Sequence, residues 1–145
     1  MMKSFSVFLF CSILFFGCKK DDDTAGKIEY LVEVNGDFVL MEIDNAPEYN
    51  DEGEEGLYNC IGENIKYPTE ARENGVEGKV EVEYEISATG EIENIVPITN
   101  IGSGCEEALI EALKACTQGV VFSPAIIDGQ AVRVKDSLWV NFRLE

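Results

Sequence analysis

Few residues in this sequence are of a type and spacing that could perform chemistry. There is no histidine, which removes the most common general base and the most common ligand of a catalytic metal. Four carboxylates lie close together in the sequence, namely Asp51, Glu52, Glu54 and Glu55. Their spacing matches no known calcium-binding loop. A solvated start of a helix explains them better than a pair of catalytic carboxylates for glycoside hydrolysis. We therefore expect no enzyme, no metal site and no cofactor.

Residues 1–17 have the anatomy of a signal peptide. Lys3 precedes an apolar run over residues 5–16, and Gly17 ends the segment. The run has about a dozen residues, whereas a membrane-spanning helix needs roughly 20. The Gly17-Cys18 junction resembles the cleavage site of bacterial lipoproteins. This resemblance implies that Cys18 carries lipid and holds the mature chain on a membrane without crossing it.

A short acidic tether over residues 18–26 follows this junction. Lys20, Asp21 and Asp22 resemble the export signal that Bacteroidetes lipoproteins use to reach the outer face of the outer membrane. The implied location is the outer membrane, by a lipid anchor, with exposure at the cell surface. A plain disordered tether is compatible with the same residues.

The charge of the chain excludes one class of partner. The 28 acidic residues outnumber the 11 Lys and Arg residues, and the formal net charge is -17. Nucleic acid and anionic lipid headgroups would be repelled. Solubility and a wet strand face account for most of this charge.

Three cysteines lie in the mature domain, residues 27–145, in a compartment where disulfides persist. Cys60 and Cys116 fall on the predicted buried sides of two helices, which makes them the first-ranked pair and leaves Cys105 over. Packing of free thiols in the core explains them at least as well, so both interpretations stay open.

The elements that must position these residues follow from hydrophobic periodicity. Asn35-Gly36 between two alternating runs predicts a hairpin over 28–43. Apolar residues four apart predict a helix over Glu54 to Ile65, and Pro68 opens a further short turn. Ser103 and Glu106 form a capping-box pattern that starts a second helix over about 105–117.

Alternating apolar residues predict the remaining strands. Val80 to Ile86 and Ile92 to Ile98 form a hairpin, and Pro97 keeps the second of these strands near an edge or a bulge. A last strand runs over Leu138 to Leu144, after a turn at Asp128-Gly129. The fold class is α+β, an antiparallel sheet with two helices packed on one face.

An ordered series of short motifs resembles the TonB C-terminal domain family. They are Tyr67-Pro68, Gly78-Lys79-Val80, Thr89-Gly90, Ala108-Leu109 and Phe122-Ser123-Pro124. The likeness covers about residues 47–145, within a domain of residues 27–145 that carries an added N-terminal hairpin. Order and number make the series more specific than any single motif.

The resemblance implies a protein-binding domain that takes up an extended segment of an envelope partner, such as an outer-membrane transporter, as an added strand. The closing strand is then the expected binding edge, and Asn64 stands three places before the Tyr-Pro, where the family has a partner-contacting polar residue. The expected contacts in the closing strand are Leu138, Trp139, Val140, Asn141, Phe142 and Arg143. For Trp139 and Arg143, interface contact and a covered second sheet face are equally good explanations.

The chain departs from an energy-transducing TonB upstream of the domain. Nine residues between Cys18 and Ile28 reach only about 30 Å when fully extended, and there is no proline-rich spacer. Two alternatives stay open: an interaction lipoprotein that reuses the fold without a transport role, and a true energy transducer anchored by residues 5–17. The partner and the oligomeric state are not encoded in any recognisable pattern.

Overall fold

The computed structural model of the protein describes residues 28–145. The predicted signal peptide, Cys18 and the motif of Lys20, Asp21 and Asp22 lie outside the described residues and stay predictions. Within residues 28–145, no helix is long and apolar enough to cross a membrane.

The described residues form strands and helices in the following order along the chain. The elements are β1 (Ile28–Val34), β2 (Asp37–Ile43), β3 (Glu48–Tyr49), α1 (Gly53–Asn64), α2 (Thr69–Glu73), β4 (Gly78–Ile86), β5 (Ile92–Pro97), α3 (Cys105–Thr117), β6 (Phe122–Ser123), β7 (Ala125–Ile127), β8 (Gln130–Val132) and β9 (Val134–Phe142).

The five longest strands form one antiparallel sheet in the order β2-β1-β9-β4-β5. Alternate residues of β4, such as Val80, Val82 and Ile86, are completely buried, and they share one core with Ile61 of α1 and Leu109 of α3. The helices therefore cover one face of the sheet. This confirms the predicted α+β class, and the short turn expected after Pro68 is a third helix, α2.

The first hairpin forms as predicted. Asn35 and Gly36 both have positive φ, 56° and 92°, which is the backbone of the tight turn that matches strand twist. The two strands pair residue by residue without a register shift, from Val34↔Asp37 at the turn to Ile28↔Ile43 at the open end. β2 is consequently an outer strand of the sheet.

The predicted capping box at the start of α3 is wrong. The helix begins at Cys105 after Gly104, because residues 102–104 all have positive φ and Ser103 makes no capping hydrogen bond. Glu106 instead turns back, and its buried carboxylate accepts hydrogen bonds from the backbone N–H groups of Ile101 and Gly102. The glutamate thus holds the loop before the helix rather than the helix start.

The position of the last strand also differs from expectation. β9 begins at Val134, four residues earlier than predicted, and ends at Phe142. It lies between β1 and β4, so the edges of the sheet are β2 and β5. Pro97 does lie in an edge strand, beside an irregular register between Glu83 and Glu85, as predicted.

Candidate functional site

β9 is paired along its whole length on one side only. Its partner β4 matches it residue by residue from Gly78↔Phe142 to Ile86↔Val134. On the other side, the pairing with β1 consists of Leu31↔Lys135 and Val32↔Val134. From Asp136 onward, no strand of the described domain pairs with this side, so the second half of β9 has an open edge despite its place inside the sheet.

The backbone groups of alternate residues point into this open edge. The N–H of Glu33 donates to the carbonyl of Arg133 at 3.0 Å, which shows that Arg133 faces β1. The direction of the backbone N–H and C=O groups alternates from one residue of a strand to the next. Trp139 and Asn141 therefore direct these groups to the same side as Arg133. The N–H of Ser137 has the same direction, but the carboxylate of Asp136 accepts it at 2.8 Å.

The side chains of β9 divide between the two faces of the sheet. Leu138 and Phe142 are buried under the helices, whereas Trp139 is 51% exposed on the opposite face. The ammonium of Lys79 lies 5.2 Å from the centroid of the Trp139 ring. With its carboxamide turned to satisfy its neighbours, Asn141 donates to the Gly78 carbonyl and accepts from Arg143. No described element covers this tryptophan, which argues against the covered-face explanation.

Arg133 explains why the hairpin stays attached at the start of β9. Its guanidinium contacts carboxylates of three neighbouring strands: Glu33 at 3.1 Å, Glu85 at 3.0 Å and Glu93 at 2.5 Å. Hydrogen bonds to Glu93 and Glu85 raise the pKa of the Arg133 guanidinium. The hairpin is thus fixed near its turn, and its Ile28 end diverges from β9.

Asn64 is placed apart from the closing strand. Its side-chain amide donates to the carbonyl of Cys60 at 2.9 Å and so closes the last turn of α1. It borders a groove of the helical layer that Pro68, Ala108 and Glu111 also line and that includes no residue of β9. The structure therefore does not bring this predicted contact together with Trp139 or Arg143.

A disulfide joins Cys60 of α1 to Cys116 of α3, the pair ranked first from the sequence, with a Cα–Cα distance of 5.9 Å. The hydroxyl of Tyr49 donates to the Cys116 carbonyl at 2.7 Å. Cys105 is buried and free, and burial raises the pKa of its thiol. The bridge locks together the two helices that cover the sheet.

A cleft that sequence analysis missed lies where β1 diverges from β9. Its volume is about 550 Å³, and its polar lining includes Tyr30, Tyr58, Tyr84, Glu54 and Asp136. Each of these residues except Glu54 and Tyr58, which share α1, comes from a different element. No local pattern could have grouped them, because only the sheet order brings them together.

Burial governs the ionisation of this cleft. Burial, followed by the charge of Asp136, raises the pKa of Tyr30 to about 12. Burial also raises the pKa of the Asp136 carboxyl, and the charge of Glu54 raises it further. Of the four clustered carboxylates, only Glu54 lines this cleft, whereas Asp51 and Glu52 border a separate depression. Within the described residues, no group of three or more cysteine or carboxylate side chains is placed to hold a metal ion.

The chain is similar to one described protein family and to several solved structures. A family model described as Gram-negative bacterial TonB protein C-terminal matches residues 63–144, more than half of the chain. A solution structure of the Helicobacter pylori TonB C-terminal domain is 22% identical and has a TM-score of 0.43; the match covers 59% of this chain and 87% of that one. The Pseudomonas aeruginosa TonB C-terminal domain is 23% identical, with a TM-score of 0.39 and coverages of 56% and 79%. The search of curated proteins gave no match.

Proposed function

The chain belongs to the Gram-negative bacterial TonB protein C-terminal family, whose domains bind envelope proteins, and from this premise we propose that it takes up an extended segment of an envelope partner as an added strand. The binding edge is the open side of β9, residues 137–142. The partner is an outer-membrane protein such as a transporter. The domain acts by binding and not by catalysis.

The single observation that supports this proposal is the open second half of β9. Trp139 and Asn141 each direct an N–H and a C=O group to a side on which no described strand pairs with them. An added strand would satisfy these groups, and each hydrogen bond contributes roughly 0.5–1.5 kcal/mol net. The exposed ring of Trp139 and the guanidinium of Arg143 add the side-chain types that dominate interface energies.

The proposal includes a place for the domain in the envelope. Lipid on Cys18 anchors the mature chain to the outer membrane, and Lys20, Asp21 and Asp22 direct it to the cell surface. The tether between Cys18 and Ile28 spans at most about 30 Å, so the domain stays close to its membrane. A partner in the same membrane is therefore within reach, whereas a motor in the inner membrane is not.

A second candidate edge is β2, which supports the alternative of an interaction lipoprotein without a transport role. β2 is an outer strand of the sheet, and it exposes apolar side chains on both faces, Val39 at 48% and Leu40 at 60%. A long apolar edge strand is a site where another strand readily pairs. Binding there would leave the β9 edge free.

Photo-crosslinking separates the two edges. The full chain carries p-benzoylphenylalanine in place of Trp139, of Leu40 or, as a control that lies in neither strand, of the exposed Val121. The variants are expressed in the native host, illuminated, and analysed by mass spectrometry of the crosslinked peptides. We expect the Trp139 variant to capture one short segment of an outer-membrane protein. Capture by the Leu40 variant alone would assign binding to β2 and contradict the proposal.

A further inference from the structure

The cleft beside the open edge combines aromatic rings with carboxylates. Tyr30, Tyr58 and Tyr84 contribute rings from β1, α1 and β4, and Asp136 and Glu54 contribute carboxyl groups from β9 and the first turn of α1. Aromatic faces attract organic cations, and carboxylates pair with them. The formal net charge of -17 attracts a cation over longer distances as well. The lining is therefore complementary to an ammonium or guanidinium group.

Tyr84 adds a polar group to the lining of the cleft. The residue is only 3% exposed, and it lines the cleft. Its ring lies beside that of Phe122, with the two ring centroids 6.4 Å apart. A tyrosine hydroxyl can both donate and accept a hydrogen bond, so Tyr84 is suited to contact a polar ligand in this cleft.

The position of the cleft connects it with strand addition. Leu138 lines the cleft and points toward the helical face of the sheet. Residues that stand opposite each other in neighbouring strands turn their side chains to the same face. The residue of an added strand that stands opposite Leu138 would therefore direct its side chain into this cleft.

We propose that this cleft binds the basic side chain, lysine or arginine, of the residue that stands opposite Leu138 in the added strand. The inference rests on the proposed function, and it adds a requirement for one positive charge at a fixed position of the partner segment. Asp136 and Glu54 supply the negative charge, and the hydroxyl of Tyr84 accepts a hydrogen bond from the incoming donor. Backbone pairing with β9 supplies affinity, and the basic side chain of the partner fixes the register of the added strand.

The test uses two small probes and the full chain in detergent micelles. N-acetyl-arginine amide carries the guanidinium, and N-acetyl-citrulline amide has nearly the same shape without the charge. Binding is followed by the NMR shifts of the Ser137 and Leu138 amides during titration. We expect the arginine probe to bind several-fold more tightly than the citrulline probe, with the shifts concentrated around the cleft.

Adjacent glutamates of α1 provide a matched pair of variants. Glu54→Gln removes a charge that lines the cleft, and Glu55→Gln removes the same charge from the neighbouring residue, which does not line it. We expect Glu54→Gln to weaken the arginine probe by about two- to five-fold, the effect of one partly exposed ion pair. Glu55→Gln is expected to leave the affinity unchanged, and Tyr84→Phe to weaken it.

Several outcomes would overturn the inference. Equal affinity for the two probes would show that the charge of the ligand plays no role. Equal losses of affinity in Glu54→Gln and Glu55→Gln would show only the general attraction of an acidic protein for a cation. Since the probes need no added strand, arginine binding without any crosslink at Trp139 would reject strand addition and leave the cation site standing.

Discussion

The guanidinium Nε of Arg133 lies 3.1 Å from a carboxylate oxygen of Glu33, and this ion pair fastens the first hairpin to the start of β9. The attachment lies near the turn of the hairpin, while the paired residues of β1 and β9 end at Leu31↔Lys135. Beyond that pair the two strands separate. The same contact therefore holds the hairpin on the sheet and leaves the rest of β9 accessible.

Replacement of Arg133 tests this attachment. Arg133→Met retains the apolar stem but leaves the carboxylates of Glu33, Glu85 and Glu93 close together without a cation. We expect the free energy of unfolding to fall by about 1–2 kcal/mol, a modest value because the network is partly exposed to solvent. Urea denaturation measures it, with Lys66→Met as a control for loss of an exposed positive charge. Equal stability of the two variants would contradict the assigned role.

The Cys60–Cys116 bridge is expected to be the largest single contribution to stability that one pair of residues makes. It closes a loop with a sequence separation of 56, for which the chain-entropy estimate is about 4 kcal/mol. The double variant Cys60→Ala/Cys116→Ala should lose stability of this order. A reductant should lower the melting temperature of the native chain and of Cys105→Ala, but not that of the double variant. A native chain that is insensitive to reductant would show that the bridge does not form.

Asp136 makes the stability of the domain depend on pH. Burial raises the pKa of its carboxyl in the folded state above that of the unfolded chain. The stabilising contribution is therefore complete below the unfolded pKa, near 3.9, and is lost as the pH rises through the folded pKa. Asp136→Asn has no carboxyl to ionise and so avoids this loss of stability. Its melting temperature should therefore rise relative to that of the native chain as the pH increases from 4 to 7.5. The exposed Asp51→Asn serves as the control, and a gain of the same size there would contradict the prediction.

Local patterns were sufficient for most of the fold. The alternation along β4 and the Asn35-Gly36 turn specify their structures through neighbouring residues, and the apolar stripes of α1 and α3 do the same. The bounds of α3 were predicted correctly, but its capping box was not, because residues 102–104 all have positive φ and Glu106 bonds to the preceding loop. The short strands β6, β7 and β8 have too few residues to show a period.

The site was harder to predict because it depends on pairing between distant segments. That Trp139 alternates with buried residues is visible in the sequence, but the partner of each side of β9 is not. The hairpin inserts β1 beside Val134 and Lys135, and this covers the start of the strand that was expected to be an edge. The cleft depends on the same pairing, since Tyr30 and Asp136 approach each other only when β1 lies beside β9.

The predicted lipid anchor and export signal can be tested with two variants of the full chain. Changing Lys20, Asp21 and Asp22 together to alanine should leave the protein in the membrane fraction but protect it from protease added to intact cells. Cys18→Ser should release it from the membrane fraction altogether, because lipid on this cysteine is the expected anchor. Mass spectrometry of the mature N-terminus checks the modification directly. Unchanged protease accessibility of the alanine variant would reject these three residues as an export signal.

The most direct test of the binding edge is a proline at position 141. Proline has no N–H to donate to a neighbouring strand, and the N–H of Asn141 faces the open side of β9 rather than β4. Asn141→Pro should therefore keep its circular dichroism spectrum and lose the crosslink to the partner that p-benzoylphenylalanine at position 139 forms. Asn141→Ala retains the N–H and removes only the side chain, so it should keep most of the crosslink. Val140→Pro provides the opposite control, since the N–H of Val140 points toward β4 and its loss should unfold the domain. A folded Asn141→Pro variant that still crosslinks to the same segment would reject this side of β9 as the binding edge.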